Sequence, residues 1–252
     1  MNKEGLWLKK RCGYISASNV GELCSASGKV TEGNLDYIRE KRWERRHGFS
    51  LPFTAHPMTI GKEQEPYAIA WFRENYSEMP IIYSGELDDI PFWTVPWAKF
   101  GASPDAFTED ESTVVEIKTV VSNKQKCFYG DEYTPYEDKK AYAKSEHLPQ
   151  LLGQFLSKDK VREIKLVKYI YQDDNIMEDT DSVLAPWRGL VFPFYRKDYV
   201  NELAELKLRI QMFDAMIDAP ISPEEFKSGW AFSLEKGLYQ IKKEDKNGKS
   251  NK

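Results

Sequence analysis

Helical and extended segments alternate along this 252-residue chain, which predicts an α/β (α+β) fold in one domain over 1–241, then a charged tail, 242–252. Three observations carry that expectation. Segments 61–76, 147–158 and 203–217 repeat apolar residues at three- and four-residue spacing, as helices with one buried stripe do, and 35–47 is helix-like. Segments 163–172 and 189–195 read as strands, the former by its alternation. Between them, 101–119 (GASPDAFTEDESTVVEIKT) reads as a β-hairpin whose runs, 101–107 and 113–119, flank an acidic connection, 108–112.

The hairpin is where chemistry concentrates. Strand side chains alternate between faces, so Ser103 and Asp105 share one face, and Val114, Glu116 and Lys118 share another. If the runs pair, an aspartate, a glutamate and a lysine meet on one patch. Two carboxylates that close repel unless a cation separates them, and a hard divalent ion such as Mg²⁺ prefers oxygen ligands. The SPD…EIK spacing therefore reads as a metal site with a lysine beside it.

Composition bounds the rest. The fractions of apolar and charged residues are those of a globular chain, and no apolar run has the length of a membrane span. The N-terminus lacks the apolar core of a signal peptide, so a cytoplasmic location without membrane partners is expected. Three cysteines, Cys12, Cys24 and Cys127, are too few for a four-cysteine cluster and odd for disulfides. Net charge is −4, so any nucleic-acid surface must be local.

In chain order, Gly13 breaks segment 7–20, and Ser16 or Ser18 is placed to cap a helix starting near Asn19. Lys9, Lys10 and Arg11 precede that start; a basic turn is the simple reading, a phosphate site the sharper one. The helix at 35–47 carries Arg39, Lys41, Arg42, Arg45 and Arg46, a solvated face by default and a phosphate-attracting one otherwise. In the helix at 61–76, Pro66 belongs in the first turn, and Glu65 heads a stripe continued by Ala68, Ile69, Phe72 and Tyr76. A glutamate facing inward needs a cation; facing water, it would simply suit the helix dipole. Segments 81–87 and 91–96 look like strands, and 123–144 like an irregular loop or arch. The helix at 147–158 sets Leu148, Leu151, Leu152 and Phe155 on an apolar face, with His147, Gln150 and Gln154 as a polar strip beside it. Pro193 makes 189–195 an edge or bulged strand, and Leu203, Leu206, Ile210, Phe213 and Ile217 form the core stripe of a final helix.

With these motifs in order, the chain from Trp7 to about Ala219 resembles the PD-(D/E)xK nucleases, a central mixed sheet flanked by helices. More narrowly, it resembles the phage lambda exonuclease or YqaJ-type viral recombinase family. The resemblance stands on Arg11, Gly13 and Ser16-Ala17-Ser18, on Gly61 to Glu65, on Ser103-Pro104-Asp105, on Glu116-Ile117-Lys118 and on Gln150. It implies a Mg²⁺-dependent 5′→3′ exonuclease on double-stranded DNA ends, with Mn²⁺ as a substitute. Asp105, Glu116, the Ile117 carbonyl and Glu65 would hold two ions. Lys118 would position or deprotonate the attacking water and offset developing charge, and Gln150 would hold that water or Lys118. Arg11, Ser18 and Ser103 would receive a terminal 5′-phosphate. His147 stands where the family's best-known member has a tyrosine, and would contact phosphate in its place. The resemblance further implies a single-strand annealing protein as partner and a homo-oligomer, a trimeric ring in the best-studied members. The alternatives are an endonuclease or nickase on the same core, or a non-catalytic DNA-binding protein.

Overall fold

The computed structural model describes residues 2–23, 31–50, 56–121, 134–171, 183–220, 222, 230–233 and 237–240. Cys24, Cys127, residues 123–133 of the 123–144 segment and the 242–252 tail lie outside them. Five α-helices are described: α1 (Lys3–Arg11), α2 (Glu32–His47), α3 (His56–Asn75), α4 (Tyr136–Ser157) and α5 (Val200–Asp218). The strands are β1 (Ile15–Ser16), β2 (Ile82–Tyr83), β3 (Trp93–Thr94), β4 (Phe100–Ala102), β5 (Ala106–Phe107), β6 (Thr113–Val121), β7 (Glu163–Tyr171), β8 (Gly189–Tyr195), β9 (Trp230–Ser233) and β10 (Gly237–Gln240).

A five-stranded mixed sheet, ordered β2-β5-β6-β7-β8, forms the centre. β6 and β7 are parallel and the other pairs antiparallel. A parallel pair needs a crossover, and α4 supplies it. Strand alternation then divides β6 between two cores. Val114 packs with Leu151, Phe155 and residues of α2 and α5 on one face. Val115 and Ile117 pack with Ala68, Ile69, Trp71 and Phe72 of α3 on the other. β8 lies at the sheet edge, where Pro193 costs no ladder bond. The stripe of α5, from Leu203 to Ile217, is buried.

Several expectations change. The hairpin pairs at β5 and β6, but its first run is not one strand. β4 belongs to a three-stranded sheet with β1 and β3, and the chain leaves it at Ser103-Pro104. Proline cannot donate to a ladder, and the break is fixed instead by Ser84: its hydroxyl donates to the Pro104 carbonyl at 2.6 Å and its N–H to the Asp105 carbonyl at 2.9 Å. The element after Ser16 is a 3₁₀ helix over Ala17–Glu22, and no serine side chain caps it. α1 precedes it, capped by the Asn2 side chain, which accepts from the Gly5 N–H. α3 starts at His56, so Pro66 lies in its interior rather than its first turn. α4 starts at Tyr136, so 136–144 is helical where a loop was expected. The segments 81–87 and 91–96 contribute only two-residue strands.

Of the α2 cations, Arg39 and Arg46 meet solvent, while Lys41, Arg42 and Arg45 turn into the fold. Arg42 donates to the Met216 and Ile217 carbonyls at 2.8 Å each, capping α5. Arg45 donates to the Gly13 carbonyl at 2.9 Å and pairs with Asp214, while Glu44 accepts the Gly13 N–H at 2.7 Å and the Lys41 ammonium at 2.9 Å. Gly13, at φ 76, is a turn only glycine enters without strain, and α2 clamps it from both sides. The basic helix thus holds the turn that follows Arg11.

Candidate active site

Glu116 projects from β6 toward α4 and is 2% exposed, so it must be paired. Gln150 Nε2 donates to its Oε1 at 2.5 Å, the Lys118 ammonium donates to the same oxygen at 2.7 Å, and Gln154 Nε2 donates to Oε2. Three of the roughly four acceptor positions of the carboxylate are used, leaving one. Asp105 follows the Pro104 break, and its Oδ2 accepts the Ile117 N–H at 2.7 Å. Glu65, from α3, lies near the Tyr83 hydroxyl, which favours its charged form.

These groups line one cavity of about 450 Å³, shared with Arg11, Ser16, Ser18, Lys62, Ser103, Lys118, Gln150 and Gln154. Two close approaches build it. A Cβ on Gly153 would stand 2.8 Å from the Ala17 Cβ, so its absence lets α4 press on the 3₁₀ helix that carries Ser18. Trp7 of α1 donates from Nε1 to Ser103 Oγ at 2.8 Å, while the Arg11 guanidinium lies 4.2 Å from the Trp7 ring centre. One tryptophan therefore joins Arg11 to the Ser103 end of the hairpin.

The electrostatics are those of a carboxylate cluster short of cations. Burial, then the charges of Glu116 and Glu65, hold the Asp105 carboxyl well above the ordinary range. Burial and Glu116 push Glu65 up as well, against the Tyr83 hydroxyl and Lys118. Burial would lower the Lys118 pKa, but Glu116, Asp105 and Glu65 outweigh it and raise the pKa above its usual value. Lys118, joined at Glu65 by Lys62, balances the acids here.

Among the described residues, no three His, Cys, Asp or Glu side chains form a group that could hold a metal ion as they stand. The donor chemistry nonetheless fits one. Glu65, Asp105 and Glu116 offer hard oxygens in one cavity, and their mutual repulsion favours added positive charge. Ile117 buries its side chain against α3, and its N–H is bound to Asp105.

His147 departs from expectation. It does not line the cavity; its Nε2 sits 2.5 Å from the ammonium of Lys168, which lies opposite Lys118 in the β6–β7 register. Burial pushes the imidazole down to about 4, with Lys168 and Lys118 adding, and pushes Lys168 down to about 8. A neutral ring facing an ammonium accepts from it. Because the folded protein binds the His147 proton less readily than the unfolded chain, stability is lost as pH falls from 6.5 toward about 4. His147→Leu is expected to remove that loss, so the unfolding free energy of wild type relative to the variant should fall on acidification in urea titrations. A difference independent of pH would overturn the assignment.

Sequence reasoning placed Glu65, Asp105, Glu116, Lys118, Gln150, Arg11, Ser18 and Ser103 among site candidates, and the cavity gathers all eight. It did not assign Trp7, Tyr83, Gln154 or Lys168. Gln154 had a visible signal, one turn beyond Gln150 on the same polar strip; Lys168 sits in the strand read at 163–172, but its partner across the sheet is set by a register the sequence does not show.

The family model for the YqaJ-like viral recombinase domain matches residues 6–157. No curated protein matches. The crystal structure of the alkaline exonuclease LHK-Exo from Laribacter hongkongensis is 20% identical, with TM-score 0.61, covering 88% of this chain and 95% of that one. LHK-Exo in complex with dAMP gives 20% identity, TM-score 0.60, and coverage of 88% and 94%. A phage related exonuclease from Haemophilus somnus is 11% identical, with TM-score 0.56, covering 81% and 95%. At these identities the likeness establishes a shared fold, in accord with the mixed sheet and flanking helices described above.

Proposed function

The chain belongs to the YqaJ-like viral recombinase family, and from that premise we propose that it is a divalent-metal-dependent exonuclease. It would digest one strand 5′→3′ from double-stranded DNA ends and leave a 3′ single strand for an annealing protein. The observation that carries this reading is the single cavity uniting Glu65, Asp105 and Glu116 with Lys118, Arg11 and Ser18.

In this reading Asp105, Glu116, Glu65 and the Ile117 carbonyl hold Mg²⁺, or Mn²⁺ in its place, at up to two positions. Bound there, the metal supplies Lewis-acid polarisation of the phosphate and a more acidic water. Lys118, kept protonated by its carboxylate neighbours, places positive charge beside the reacting phosphate, which suits offsetting developing negative charge better than taking a proton. Gln150, which donates to Glu116, would help hold the attacking water or Lys118. Arg11, its guanidinium oriented by Trp7, joins Ser18 and Ser103 as the receiver of a terminal 5′-phosphate. A ring-shaped homo-oligomer in the cell's cytoplasm would keep such an enzyme on its substrate, a point that sedimentation of the purified protein would test.

The deciding experiment incubates the protein with linear and circular duplexes, bearing 5′-phosphate or 5′-hydroxyl ends where linear, in Mg²⁺ or EDTA. Digestion of linear phosphorylated duplex in Mg²⁺ alone is expected. Cleavage of circles would make it an endonuclease, and no cleavage an inert binder. Arg11→Ala should slow phosphorylated ends about tenfold or more while touching hydroxyl ends less, the scale of one charge-assisted bond. Equal slowing of both would reassign Arg11 to general backbone attraction.

A further inference from the structure

Gln154 lies one turn beyond Gln150 in α4 and is 1% exposed. The two amides grip the same carboxylate from opposite sides, Gln150 at Glu116 Oε1 and Gln154 at Oε2. Rotating the Gln154 amide would set oxygen against oxygen, so the bond to Glu116 fixes which atom points where. The Gln154 Oε1 is then buried with no hydrogen-bond partner, a state that is costly and rare. The neighbouring donors, Gln150 and Lys118, bond Glu116 Oε1, and neither reaches the Gln154 Oε1.

An apolar residue would suit this site in the helix if packing were its whole use, since Leu151, Leu152 and Phe155 around it are core. A glutamine kept there with one acceptor unmet calls for a donor that arrives with a ligand, and the side chain lines the cavity where that ligand would sit. Water coordinated to a divalent cation is such a donor. Mg²⁺ keeps several waters on binding, and the ion's charge strengthens their O–H groups as donors. Resting on the metal-dependent reading above, we propose that Gln154 is a positioning residue of the metal centre. Its N–H holds Glu116 in place, and its Oε1 accepts a hydrogen bond from hydration water of the cation that Glu116 binds.

The test uses the full chain without DNA. Mg²⁺ affinity is measured by calorimetry, and melting temperature is followed in EDTA and in Mg²⁺. Gln154→Met, similar in length and unable to accept, is expected to weaken Mg²⁺ binding about 10- to 100-fold, as loss of a group supporting a metal ligand does. It should also lose most of the stabilisation Mg²⁺ gives wild type. On DNA, kcat should fall with KM little changed. Wild-type Mg²⁺ affinity in this variant would overturn the proposal and make Gln154 a packing residue. Gln154→Glu keeps an acceptor at the same reach but loses the N–H that holds Glu116, so Mg²⁺ should stabilise it more than it stabilises the Met variant. A loss matching the Met variant would overturn the proposal as well, as would the absence of any Mg²⁺ stabilisation here if the Met variant does not fold. If wild type itself takes up no divalent ion, the metal-dependent reading fails and this inference with it.

Discussion

Asp105→Ala is expected to abolish Mg²⁺-dependent digestion, a loss of about 10³-fold or more, while the protein keeps its fold. The size follows from position. Asp105 stands immediately after the Pro104 break, and one of its oxygens is bound by the Ile117 N–H. Among the described residues none bonds the other, and Asp105 lines the cavity shared with Glu65 and Glu116. In the proposed mechanism, removing the carboxylate takes away one of the oxygens that would hold the metal. Initial rates on 5′-phosphorylated linear duplex, with circular dichroism as the folding check, measure the effect; undiminished activity would remove Asp105 from the mechanism. Asp105→Asn adds a pH test. The native carboxyl is raised, so the folded state holds its proton more tightly than the unfolded chain, and stability falls as pH rises above the ordinary carboxylate range. Without metal, the Asn protein, which keeps an acceptor for the Ile117 N–H, should melt a few degrees above wild type at about pH 8 and converge with it toward about pH 4.

Lys118→Ala should cost about 10²- to 10⁴-fold in kcat with DNA affinity largely kept. The ammonium lies against Glu116 and feels the charges of Asp105 and Glu65. Its partners are the acids of the proposed metal site, so its effect is expected in the chemical step. Single-turnover rates at saturating enzyme, set beside equilibrium binding to a duplex end, separate the two. A defect confined to binding would contradict the role. The same substitution leaves the carboxylates without their nearest cation, so the metal-free variant should also melt below wild type.

Much of the site was legible because strand and helix periods place side chains by arithmetic. Glu116 and Lys118 share a face at a spacing of two, and Glu65 heads the stripe of α3 through Ala68, Ile69 and Phe72. His147 was misplaced for a related reason. Its helical position was correct, but what stands opposite it, Lys168, depends on the register between β6 and β7, which no local pattern encodes. The arginines of α2 show the same limit, since charge runs in a sequence do not reveal whether carbonyls such as those of Met216 and Ile217 already occupy them.

The chain by itself determined which residues are acids, amides and cations, and the periods that send them inward, because those follow from side-chain chemistry and backbone geometry. Tertiary packing alone decided that the Ser103–Asp105 run leaves its strand, that Gly153 brings α4 onto the Ser18 segment, and that two glutamines close on Glu116. Those outcomes depend on contacts between segments far apart in sequence, where close packing, not local propensity, selects the arrangement.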